Sequence, residues 1–187
     1  MAPNRLIAEH VVGLASHDLP ACFTREIGRI IVKWAYFEHC VQEMNWKVLG
    51  LSDAAGRIAL REPRVTDRLE MLCDLVKLRG GVWDDALYKS ILTRTKVAAA
   101  KRDLLAHGIW VNYSKYRNEW HVQLARGQWP KNLRDLVKES RKVTPEGVVI
   151  DLTELRSATT EILELTDDLG RLRDSAYDAK APPQEPL

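Results

Sequence analysis

Long apolar runs are missing from this sequence. No uncharged stretch approaches the roughly 20 apolar residues that a bilayer-spanning helix needs, which excludes a transmembrane helix. Cysteine is scarce and scattered. Cys22, Cys40 and Cys73 are odd in number and form no Cys-x-x-Cys pair. That spacing argues against a disulfide framework and a cysteine zinc site, and predicts three reduced thiols in the core. There is no Gly-rich phosphate loop, no His-Glu-x-x-His and no Gly-x-Ser-x-Gly elbow. His10, His17, His39, His107 and His121 show no metal-ligand spacing, and the Glu-x-x-His pairs of a di-metal bundle are absent. Neither a metal nor another cofactor is therefore expected. The opening residues, MAPNRLIAEH, place Glu9 and His10 where a signal peptide carries its apolar region, so a cytoplasmic location is expected.

What is present fits a folded globular chain. Hydrophobic residues make up 45% and charged residues 29% of 187 residues, enough for one domain with a core of its own. The net charge of +2 hides an uneven distribution. Lys89 to Lys142 holds thirteen Lys and Arg against four Asp and Glu, whereas residues 151–187 hold nine acids and four bases. A basic middle of this kind is either an electrostatic footprint for phosphate or a solvated surface.

The apolar periodicity predicts an all-α fold, a bundle of four to five helices with a small β insertion before the last helix. Residues 1–19 form an arm or short helix. Residues 20–176 form a single helical domain whose β insertion covers about 118–150, and 177–187 form a disordered Pro-rich tail. From Pro20, apolar residues at three- and four-residue steps, among them Ile30, Trp34, Phe37, Val41 and Met44, give a long helix ending at Gly50. Glu38 lies within that face as either a paired edge acid or a polar group of a site. Ser52 and Asp53 start a short helix to Leu60, and Thr66 precedes a third that stops at Gly80-Gly81. Asp84 and Asp85 open a fourth helix reaching about Trp110, in which Ala98-Ala99-Ala100 would let another helix approach closely. Trp120, Val122 and Leu124 alternate with polar neighbours as in a strand, around a turn at Arg126-Gly127-Gln128, and Gly147 to Ile150 reads as a second strand. Leu133 to Lys142 is compatible with helix or strand. Asp151 and Glu154 form a capping box for a last helix to about Ser175.

The chemically informative stretch is KRDLLAHGIW, residues 101–110. Arg102 and His107 stand five residues apart, about 7.5 Å of rise and roughly 140° of rotation on a helix. Asp103 and His107 are an i,i+4 pair within hydrogen-bonding reach. An imidazole titrating near neutrality, a guanidinium fork and an orienting carboxylate suit phosphodiester cleavage without a metal. The same residues also describe a plain helix end with surface charges.

KRDLLAHGIW resembles the signature of the HEPN superfamily of helical nucleotide-binding and ribonuclease domains. That signature is an Arg, a polar residue directly after it, and a His four to six residues beyond the Arg. Arg102, Asp103 and His107 occupy these positions, with Asp where Asn is commoner, and Ile109 stands where some toxin members carry Tyr. The resemblance implies a homodimeric, metal-independent endoribonuclease whose two motifs form one cleft. His107 would be its general acid and base, Arg102 its phosphate ligand and Asp103 its orienting group. It also implies RNA as partner, contacted by Lys96, Lys101, Lys115 and Arg117, with Trp110 either stacking on a base or packing in the core. Such proteins act in phage defence or toxin–antitoxin systems, which implies a cognate antitoxin or system partner. The same family includes non-catalytic dimerisation and nucleotide- or RNA-binding modules, and that is the alternative.

Overall fold

A computed structural model describes residues 19–59, 64–114, 119–123, 143–144 and 147–178, with side chains described for 19–59, 64–108, 110 and 150–175. Its elements in chain order are α1 (Ala21–Leu49), α2 (Asp53–Ala59), α3 (Val65–Leu78), α4 (Asp85–His107), β1 (Ile109–Ser114), β2 (Glu119–Gln123), β3 (Val143–Thr144), β4 (Gly147–Ile150) and α5 (Leu152–Asp178). The fold is an all-α helical bundle, with a small antiparallel sheet of order β1-β2-β4-β3 before the last helix. Among the described residues, no helix is long and apolar enough to cross a membrane. The Arg126 turn, Leu133 to Lys142 and the Pro-rich tail from 179 onward lie outside the described residues.

Local chemistry sets the helix ends. α1 stops where Gly50 takes φ +70°, a left-handed value that costs glycine little, and Leu51 N–H then reaches the Trp46 carbonyl at 2.9 Å. α3 stops in the same way at Gly80, φ +69°, with Gly81 N–H on the Val76 carbonyl. α5 begins with a reciprocal capping box. Glu154 N–H donates to Asp151 Oδ1 at 2.8 Å, and Asp151 N–H to Glu154 Oε2 at 3.0 Å.

Two boundaries differ from the sequence reading. α4 ends at His107 rather than Trp110: Gly108 N–H closes the last turn on Leu104, and the chain then extends into β1. Ile109, Trp110 and Val111 pair with Gln123, Val122 and His121 of β2, so ladder partners distant in sequence override the local helical pattern. α5 also runs past Ser175 to Asp178.

The helices contribute to two compact units, Met1–Ile31 with Ala99–Thr159 and Val32–Ala98 with Thr160–Leu187. The first unit holds the sheet and buries Phe23 and Ile30 of α1, Leu104 and Leu105 of α4, and Leu155 of α5. The second buries Phe37 and Val41 of α1, Leu69 and Leu72 of α3, Ile91 of α4, and Leu165, Leu169 and Leu172 of α5. Each such side chain stabilises the fold by about 1.5–3 kcal/mol relative to exposure. Within the second unit, fully buried Asn45 ties α1 to α3 by donating from Nδ2 to the Val41 and Arg68 carbonyls at 3.0 and 3.1 Å. Of the cysteines only Cys73 is buried. Cys40 is half-buried and Cys22 exposed, which corrects the expectation of three core thiols.

Candidate functional site at the end of α4

The inward stripe of α4 runs through Tyr88, Ile91, Thr95, Ala98, Arg102 and Leu105 at three- and four-residue steps. Five of the six are buried, and Arg102 breaks that line with its side chain 25% exposed. A guanidinium on a core-facing stripe is expensive unless paired, so its orientation is a structural matter. Its Nη1 pairs with Asp103 Oδ1 at 2.8 Å, while the Asp103 side chain stays 53% exposed. His107 closes the helix in an exposed position. Among the described residues, no hydrogen bond joins Asp103 to His107; the Asp103 carboxylate meets Arg102. Carboxylate and guanidinium are adjacent in the chain, and a contact with charge on both partners is among the stronger hydrogen bonds.

The expected RNA-contacting residues are dispersed. Lys101 is exposed beside Arg102 in the first unit. Lys96 belongs to the second unit and pairs with Glu70 of α3 at 3.3 Å. Lys115 and Arg117 lie outside the described residues. Trp110 sits in β1, half-buried, where its Nε1 donates to the Leu105 carbonyl at 3.4 Å and its ring meets Phe23 edge-on at 6.3 Å. Packing in the first unit thus occupies much of the ring. Ala98 and Ala100 are buried within the chain, so these small residues serve its own packing. Glu38 accepts from Trp34 Nε1 at 2.7 Å and is a paired acid.

Three features escaped the sequence reading. Glu26, 5% exposed, is a buried carboxylate in the first unit, bonded by Arg29 Nη1 at 2.9 Å. Its signal was present, since it falls between Phe23 and Ile30 on their face of α1. In the second unit Arg94 is clasped by three carboxylates of α5. Its Nε reaches Glu161 at 2.6 Å, Nη1 reaches Asp168 at 2.6 Å and Nη2 reaches Glu164 at 3.2 Å. Burial opposes that charge, but the hydrogen bonds that Arg94 donates to Glu161 and Asp168 outweigh it and hold the guanidinium pKa above its ordinary value. The same unit carries a polar groove of about 540 Å³ between α1 and α5, lined by Tyr36, Cys40, Lys47, Gly170 and Arg173 among others. Among the described residues, no cluster of His, Cys, Asp and Glu is arranged to hold a metal ion.

No protein-family model, no curated protein and no solved structure matches the chain.

Proposed function

We propose that this chain is a metal-independent endoribonuclease that acts as a homodimer, its cleft built from two copies of Arg102, Asp103 and His107. The observation that carries this reading is the placement of Arg102, a guanidinium on the inward stripe of α4, held by Asp103 one turn from an exposed histidine. In the proposed reaction one His107 imidazole removes the proton from a ribose 2′-hydroxyl. The 2′-oxygen attacks phosphorus, the bond from phosphorus to the 5′-oxygen breaks, and the second His107, protonated, gives that oxygen its proton. The planar donors of Arg102 stabilise charge on the phosphorane, and Asp103 fixes their direction. Lys101 contributes sequence-independent attraction for the backbone. A cytoplasmic location and a cognate antitoxin or system partner belong to this reading.

The test is RNA cleavage by the full chain in EDTA, with end-group analysis of the products. The expected products carry 2′,3′-cyclic phosphate and 5′-hydroxyl ends. Intact RNA after incubation refutes the catalytic reading. One observation favours a second reading, a non-catalytic RNA-binding module: among the described residues, no hydrogen bond orients the His107 ring. For that module, 2′-O-methyl RNA binds with an affinity that falls steeply with salt while unmodified RNA stays uncut.

A further inference from the structure

Gly170 stands in the interior of α5, where glycine costs a helix more than any residue but proline. Left-handed backbone or a crowding neighbour can require it. Neither applies here. Positive φ among the described glycines belongs to Gly50 and Gly80, and nothing lies within 4 Å of the point where a Cβ on Gly170 would stand. The missing side chain instead leaves open the groove between α1 and α5, beside the buried Met44 and Leu169. At about 540 Å³ this groove falls within the roughly 300–1,000 Å³ of small-molecule sites, and all of its lining belongs to the second unit.

The charges on its walls decide what it holds. Arg173 pairs with Asp174 at 2.9 Å, and Arg171 with Asp168 of the same helix at 3.2 Å. Glu43, Asp167 and Lys47 remain. Glu43 and Lys47 are an i,i+4 pair in the order that ordinarily bridges on a helix surface. Among the described residues they make no such bridge: Glu43 meets His39 at 3.4 Å, and neither Lys47 nor Asp167 has an ion pair. Two unspent carboxylates and one ammonium beside an apolar floor match a molecule with both signs of charge and an apolar body. Its ammonium donates to Glu43, with Asp167 as a second acid, and Lys47 donates to its carboxylate. Because Glu43 and Lys47 stand one turn apart, the ligand's two charges are close together, as on an α-amino acid. The apolar part then lies over Met44, Leu169 and the open position at Gly170.

We infer that this groove binds a zwitterionic α-amino acid with a large apolar side chain. The site uses none of Arg102, Asp103 and His107, and it stands whether or not the chain cuts RNA.

The test is isothermal titration calorimetry of the full chain with L-phenylalanine, beside phenethylamine and 3-phenylpropanoate, which lack its carboxylate and its ammonium. L-Phenylalanine is expected to bind. Phenethylamine should bind about tenfold more weakly, and 3-phenylpropanoate, which meets two acids unshielded, about a hundredfold more weakly. Lys47→Gln should weaken L-phenylalanine about tenfold and leave phenethylamine unchanged, a selectivity that a merely structural lysine would not show. Gly170→Leu should abolish binding and raise the melting temperature, since leucine is the better helix former and meets no neighbour there. A folded Gly170→Leu chain that binds like the parent overturns the site. So does a Lys47→Gln chain that loses phenethylamine as much as L-phenylalanine. No binding of L-phenylalanine at millimolar concentration overturns the inference and leaves the proposed ribonuclease untouched.

Discussion

Arg94 and Arg102 lie two turns apart on α4 and make different ion pairs. Arg94, in the second unit, meets three carboxylates from α5, residues some seventy positions away in sequence. Arg102, in the first unit, pairs with its own chain neighbour. A guanidinium fixed from a distant helix joins elements, and its removal leaves Glu161 and Glu164 without that counter-charge and Asp168 with Arg171 alone. A contact between adjacent residues fixes the direction of a guanidinium on its own helix. The lesson is to weigh a charged residue by where its partners come from. Arg94 is stability, and Arg102 is the candidate for chemistry.

The contrast breaks if the two arginines respond alike. Arg102→Lys should cost RNA cleavage about 10²–10³-fold, since an ammonium lacks the planar two-donor grip on a transition-state phosphate. The melting temperature should move little, and single-turnover rates with thermal melts check both halves. Arg94→Met should do the reverse. Losing part-buried charge-assisted bonds, with Glu161 left without this partner and Asp168 keeping only Arg171, should destabilise by about 2–4 kcal/mol, with cleavage per folded molecule unchanged. Urea unfolding measures the first quantity. Gly56→Ala sharpens the comparison within the second unit, because its Cβ would stand 2.3 Å from the Trp46 ring. That overlap should cost about 1–3 kcal/mol on the same unfolding curve and leave the first unit's chemistry intact. Smallest is Asp151→Ala, which removes one half of the α5 capping box and should cost about 1 kcal/mol. Calorimetry of the variant beside the parent resolves it.

Elements defined by their own residues were legible in the sequence. α1 and α3 follow from apolar steps closed by Gly50 and Gly80, and the start of α5 from Asp151 and Glu154. Features decided by distant partners were not. Ile109 and Trp110 continue a helical run locally, and only the ladder to Val122 and Gln123 makes them strand. The acids Glu161, Glu164 and Asp168 mark one face of α5, yet nothing in their spacing says that Arg94 faces it. At the candidate site, the residues and their helix were readable, but the choice of Asp103 between Arg102 and His107 was not. Two donors compete for one carboxylate, and rotamers decide which wins.

His107 tests the central claim most directly. It is exposed, so His107→Ala should leave the fold in place by circular dichroism and thermal melt. The measurement is the rate at which parent and His107→Ala chains cut a defined RNA in EDTA. The account predicts cyclic-phosphate products from the parent and a loss of about 10²–10⁴-fold in the variant. Equal rates from the two chains, or no cleavage by either, would contradict it.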